Sequence, residues 1–146
     1  MANAIKWSAK ADRGTVLTAE LNALANGGYS ALGTEVDNST NRDRWGAFEI
    51  VLAALDPAAG GFVELMIVPA IDGANYADAP GANNLAFHYA VATVSIDVTN
   101  SAKRAVSQWV PLPPSKFKVV LLSQLGVAMN AAGNSVRLYT ANEEVQ

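Results

Sequence analysis

The chain has 146 residues, no cysteine, 51% hydrophobic and 16% charged residues, and a net charge of −3. A chain of this size removes roughly 70% of its unfolded surface from water, so it needs neither disulfides nor a structural metal to hold a core. The missing cysteines exclude zinc–thiolate sites, redox pairs and cysteine nucleophiles. A pI of about 5.0 offers no basic face of the kind that nucleic-acid binding requires.

The charged fraction is below the roughly 25% of ordinary globular domains, so much of the surface must be neutral. A monomer fills such a surface with Asn, Ser and Thr, whereas a subunit of an assembly covers it. The longest uncharged stretches, 79–96 and 119–136, hold Pro80, Asn83, Asn84 and His88, or Ser123, Gln124, Asn130 and Asn134. These are costly in lipid, so no membrane span is expected. Lys6, Lys10 and Arg13 break any apolar run at the start of the chain, and the reading is of a protein without a secretory signal, made and used on the cytoplasmic side.

In chain order, residues 1–14 show no strand alternation and are expected to form an N-terminal arm, with 15–146 as a single domain. Lys6, Lys10 and Arg13 face Asp12 alone there, so the arm is cationic on an acidic protein. Ile5 and Trp7 stand among these cations, and an arm of this kind orders on a partner, the aromatic anchoring and the cations steering. Ile5, Lys6, Trp7, Lys10 and Arg13 are therefore the candidate partner-binding residues. The alternatives are a frayed terminus or packing on the protein's own body or a neighbouring subunit.

Thr18, Leu21 and Leu24, followed by Asn26-Gly27-Gly28, carry the start and stop signals of a short helix. Tyr29 to Asp37 reads as a strand and 37–41 as a turn. Phe48, Ile50 and Leu52 alternate with Glu49 and Val51, and Val63, Leu65 and Ile67 with Glu64 and Met66; the loop Asp56-Pro57-Ala58-Ala59-Gly60-Gly61 between them predicts a hairpin. Ala90, Ala92, Val94, Ile96 and Val98 form one face of a long strand with Thr93, Ser95 and Asp97 opposite. Val110-Pro111-Leu112-Pro113-Pro114 reads as a rigid crossing. Phe117, Val119 and Leu121 alternate with Lys116 and Lys118, and Val136 and Leu138 with Arg137 and Tyr139, which predicts a second hairpin. Seven or eight such strands without a long helix define an all-β protein, a single antiparallel β-sandwich with an N-terminal arm, the jelly roll being one form of it.

Catalytic chemistry finds little support. His88 is the only histidine and has no GxSxG or HExxH context, so no enzyme activity is expected. Asp72, Asn75 and Asp78, and Asp37 and Asp43, offer calcium-type oxygens but not the EF-hand spacing, and they are also ordinary turn residues. No metal or cofactor is assigned. Asn38-Ser39-Thr40 matches a glycosylation acceptor and equally a turn. Trp7, Trp45 and Trp109 suit either an interface or core role, or stacking on sugar rings.

The runs LNALANGGYSALGTEVDNST, FEIVLAALDPAAGGFVELMIVPAIDGANYAD and VPLPPSKFKVVLLSQLGVAMNAAGNSVRLYTANEE resemble small virion structural proteins of tailed bacteriophages. The similarity runs from about Thr15 to Glu144. Its most distinctive pieces are VEL-x-I-VP-x-x-DG-x-NY at Val63 to Tyr76 and VPLPP-x-KFK at Val110 to Lys118. The resemblance implies a non-enzymatic coat component: a capsid decoration or cement protein that binds the major capsid protein lattice as a homotrimer on the virion surface, assembled in the host cytoplasm. It carries no functional residue over. A tail-associated or baseplate subunit and a carbohydrate-binding adhesin module are the other classes compatible with this sequence.

Overall fold

The computed structural model describes residues 5–76, 89–97 and 99–145, and its strands are β1 Ile5–Trp7, β2 Ala11–Leu17, β3 Val36–Asp37, β4 Trp45–Leu55, β5 Phe62–Ala70, β6 Tyr89–Ser95, β7 Ser101–Val106, β8 Val110–Pro111, β9 Lys116–Gln124, β10 Ser135–Ala141 and β11 Glu143–Val145. His88, Asp78 and Val98 lie outside the described residues.

Two antiparallel sheets face each other. One runs β2-β10-β4-β7, with β8 also on β4; the other runs β3-β9-β5-β6. From β2 to β10 the chain order alternates between the sheets at every step except β5 to β6 and the short β7 to β8 step along β4, which is the jelly-roll order. The all-β sandwich read from the alternation is therefore what the chain forms. Both expected hairpins are absent: β4 and β5 lie in different sheets, and so do β9 and β10. In each case the connecting loop arches across the core instead of folding back beside it. Gly60 at φ +78° turns the first arch. The Pro-rich segment does cross between sheets, after Val110 and Pro111 have paired with Gly46 and Trp45.

The inward faces are the ones the alternation marks. Phe48, Ile50, Leu52, Val63, Leu65, Phe117, Val119 and Leu121 are fully buried, Ile67 and Ile96 nearly so, and Val94 packs against them from the margin. Burying each such side chain contributes roughly 1.5–3 kcal/mol before conformational entropy is subtracted. The expected short helix is a single 3-10 turn, Ala19–Leu21, with Leu21 buried and Leu24 packed on the core margin.

The stretch expected as a strand over 29–37 pairs only at intervals. Tyr29 bridges Leu122, Ser30 N–H donates to Leu121, Gly33 N–H donates to Val119, and regular pairing resumes at Val36. The interruption has a steric cause. At Gly33 the chain runs between β2 and β9, with Thr34 N–H donating to Val16 O at 2.9 Å, and a Cβ here would meet Val16 O at 2.2 Å.

This run covers the outer face of the β3-β9-β5-β6 sheet. Tyr29 and Leu32, with Tyr76 from the loop after β5, pack on Met66, Val68, Val120 and Leu122. The Tyr76 hydroxyl donates to Glu35 Oε2 at 2.5 Å, Lys116 Nζ lies 3.0 Å from Glu35 Oε1, and Lys118 Nζ lies 4.8 Å from the Tyr76 ring centre. That sheet is thus covered on both sides.

Two tests follow from this packing. Gly33→Ala should destabilise the protein by about 1–3 kcal/mol in chemical denaturation, because the neighbour a Cβ meets is backbone that cannot rotate away. Unchanged stability would contradict the close approach. Burial, and then the bond to Glu35, raise Tyr76 to about 12, while the Tyr76 hydroxyl and then Lys116 hold Glu35 below its usual range. The raised tyrosine stabilises the fold fully below the unfolded value of about 10, and this contribution disappears as pH rises through about 12. Spectrophotometric titration should show a component near pH 12 that Tyr76→Phe removes; its loss from the ordinary range near pH 10 instead would contradict this environment.

Candidate binding surface

Of the expected arm, residues 5–14 are described and hold β1 and the start of β2, which runs through the expected boundary at residue 14. Ala11, Asp12, Gly14, Thr15 and Leu17 pair along β10, with register shifts around Gly14, whose φ is +85°. This bulge removes strict alternation, so the strand was not visible as a period. Beyond it the ladder continues: Ser8 N–H donates to Asn142 O at 2.7 Å, and Ile5, Lys6 and Trp7 pair with Val145, Glu144 and Glu143. β1 and β11 thus make a ribbon that prolongs β2 and β10.

A polar knot fastens the base of this ribbon. Arg13 forms an ion pair with the nearly buried Asp43, and its Nε also donates to Thr140 Oγ1 at 3.0 Å. Asn142 Nδ2 donates to Asp43 Oδ1 at 3.1 Å, and Asn142 Oδ1 accepts from Arg44 N–H at 2.7 Å. Buried Asn38 bonds Asp43 through both its amide atoms and also donates to Pro113 O at 2.8 Å. Asn38 is therefore committed to a turn, which resolves the glycosylation-type motif in favour of structure. Arg13 likewise acts inside the protein. Asp37 accepts from Ser39, and Asp72 accepts from Ala74, Asn75 N–H and the Asn75 side chain. These bonds hold Asp72 at about 2. Among the described residues, no group of three or more His, Asp or Glu converges to hold a metal.

The three tryptophans converge. The Trp7 ring lies 6.0 Å from Trp45 in an edge-on arrangement and 6.0 Å from Trp109 in a tilted one. Trp7 is 54% exposed and Trp109 40%, while Trp45 Nε1 is buried with no hydrogen-bond partner among the described residues. Ile5, two residues before Trp7, is 71% exposed. Lys10 caps the neighbouring ring, its Nζ 4.1 Å from the Tyr139 centroid. Of the sequence candidates, Ile5, Lys6, Trp7 and Lys10 thus lie at one end of the molecule facing solvent, and Arg13 does not join them.

The outer face of the β2-β10-β4-β7 sheet has, among the described residues, no cover comparable to the 29–37 run on the other sheet. It carries exposed Arg137, Arg104 and Val106 beside Tyr139 and Glu49. Arg137 pairs with Asp12, and Arg104 with Glu49, whose other oxygen accepts the Tyr139 hydroxyl at 3.3 Å. Asp12 is lowered first by the Arg137 hydrogen bond and then by Gly14 N–H. Sequence reasoning missed this grouping because strand pairing, not spacing, brings Tyr139 opposite Ala47 and Val106 opposite Glu49.

No family model matches the chain, and no curated protein sequence matches it. Among solved structures, a carbohydrate-binding module from Cellvibrio mixtus lichenase 5A, in complex with cellotriose, superposes with a TM-score of 0.38 at 13% identity, covering 95% of this chain and 90% of the module. The acidic stable capsid structure of Helicobacter pylori bacteriophage KHP30 gives a TM-score of 0.38 at 10% identity, covering 99% of this chain and 97% of that one. Superpositions this loose carry no argument about function.

The polar knot makes a testable claim. Arg13→Ala leaves the Asp43 carboxylate nearly buried with Asn142 as its remaining side-chain donor, which should cost roughly 1.5–3 kcal/mol. Lys6→Ala, on the exposed ribbon, should change stability by less than about 0.5 kcal/mol. Equal effects of the two in urea denaturation would contradict an internal role for Arg13.

Proposed function

We propose that the protein is a non-enzymatic structural component of a tailed-phage virion, a head decoration or cement protein that binds the major capsid protein lattice as a homotrimer and stabilises the head. The motif resemblance over Thr15 to Glu144 motivates the family. The observation that carries the binding role is the aromatic end of the sandwich, where Ile5, Trp7 and Trp109 hold apolar area in water beside Lys6, Lys10 and Arg44.

Tryptophan and arginine are the residues over which binding energy concentrates, because their large planar surfaces release water when a partner closes over them. The ribbon presents Trp7 on a paired backbone fastened at Asn142, so docking loses little chain entropy. Arg44 is paired with Glu143 and Lys6 stands opposite Glu144, so Lys10, without an ion-pair partner among the described residues, is the cation that steers an acidic partner. The free edge at β7 is a poor assembly surface, since Lys103 is turned inward on it and donates to Thr99 and Ser101 oxygens, a feature that discourages strand addition. The proposed contact is therefore made by side chains of the ribbon and the tryptophan cluster rather than by this edge. Jelly rolls recur in capsid proteins and in lectins; that analogy of fold assigns no function by itself.

The test adds purified protein to undecorated heads of the phage that encodes it. The native chain should bind and sediment as a trimer, and Ile5→Ser with Trp7→Ala should weaken head binding by about tenfold or more. Binding to tails alone, or undiminished head binding by the double variant, would contradict the proposal.

A further inference from the structure

A cleft of about 260 Å³ opens on the bare sheet face, lined by Lys10, Glu49, Arg104, Val106, Trp109 and Tyr139, with Ala47 and Ser107 at its base. We infer that this cleft binds one pyranose ring of an acidic glycan in the free protein, a role that does not rest on the capsid reading although it shares Lys10 and Trp109 with the proposed capsid contact. The volume lies below the roughly 300–1,000 Å³ typical of drug-sized ligands and suits one ring.

The depression exists because of three local choices. Ala47 lies opposite Tyr139 in the β4–β10 ladder and is small, so nothing fills the space between Tyr139 and Trp109. Between β7 and β8 the chain leaves the regular ladder: Ser107 N–H donates to Phe48 O at 2.9 Å, and Ser107 Oγ accepts from Phe48 N–H at 2.9 Å. That detour places Trp109 as a wall. Trp109 is 40% exposed even after contact with Trp7, which leaves indole surface for the C–H face of a sugar ring.

The polar groups match the rest of such a ligand. Glu49, whose side chain is 12% exposed, is engaged through one oxygen by Arg104 and through the other by the Tyr139 hydroxyl, and so fixes these two polar groups at the cleft. The Arg104 side chain is 74% exposed and keeps free N–H groups in its planar fork, a shape suited to adjacent oxygens. Lys10 has no ion-pair partner among the described residues and rests on the Tyr139 ring at 4.1 Å. Two cations against one carboxylate leave the cleft one positive charge in excess. That balance selects a ring bearing a carboxylate, which Lys10 would meet, over a neutral one.

The test titrates the full chain, by calorimetry and tryptophan fluorescence, with an oligogalacturonide, an oligoalginate and sialyllactose, and with neutral cellotetraose as the comparison. At least one acidic sugar should bind saturably, about tenfold or more tighter than cellotetraose, and more weakly as salt rises. Ala47→Leu should abolish this binding by filling the cleft, with circular dichroism confirming the fold. Lys10→Ala changes an exposed side chain, leaves the core intact, and should reduce the preference for acidic over neutral sugar. Absence of saturable binding to every sugar, equal affinity for acidic and neutral ones, or full binding by folded Ala47→Leu would each overturn the inference. Head binding is tested at Ile5 and Trp7, which line no part of the cleft, so failure here and failure of the capsid proposal are separate results.

Discussion

The close passage of Gly33 between β2 and β9 governs how the two sheets are presented. One backbone segment stitches both sheets there, Gly33 to Val119 and Thr34 to Val16, and only a residue without a Cβ fits beside Val16 O. Holding the 29–37 run against the β9 edge places Tyr29 and Leu32 over Met66, Val68, Val120 and Leu122. One outer face is consumed in this way by the protein itself. The other outer face has no comparable cover among the described residues, and β1 and β11 extend that sheet as a ribbon. An asymmetry of this kind gives a small β-sandwich a defined working side without a catalytic site.

The working side is rigid by construction. Its aromatic end is tied to the body through Asn38, Asp43, Arg13, Thr140 and Asn142, drawn from a loop, β2, β10 and the turn before β11. Buried polar groups of this kind are costly unless fully bonded, and here each partner satisfies another. The ribbon's exposed apolar area is therefore held in place rather than left to collapse. This explains how Ile5 and Trp7 stay available in solution at a cost in hydration that partner binding would recover.

The core was legible in the sequence because a period of two assigns each residue a side without reference to its neighbours. Phe48, Ile50, Leu52, Leu65, Phe117 and Leu121 all follow that rule. Pairing was not legible, because a loop such as Asp56 to Gly61 has the same composition whether it closes a hairpin or arches between sheets. β2 was hidden by the bulge at Gly14, which breaks the alternation. At the candidate surface, Ile5, Lys6, Trp7 and Lys10 were legible as an odd mixture of apolar and cationic residues. Arg13 belonged to that mixture by composition but is claimed by Asp43, which the sequence places thirty residues away. The Glu49–Arg104–Tyr139 grouping depends on three strands meeting, and no local signal announces it.

Together the covered sheet, the bare sheet and the fastened ribbon describe a module that binds through one side. The most direct measurement is hydrogen–deuterium exchange and tryptophan oxidation of the protein, free and bound to heads. The account predicts protection concentrated in residues 5–10, 104–109 and 137–145, with Trp7 and Trp109 shielded from oxidation. Protection confined to 24–37 and 71–76, on the side the protein already covers, with Trp7 and Trp109 as reactive as in the free state, would contradict it.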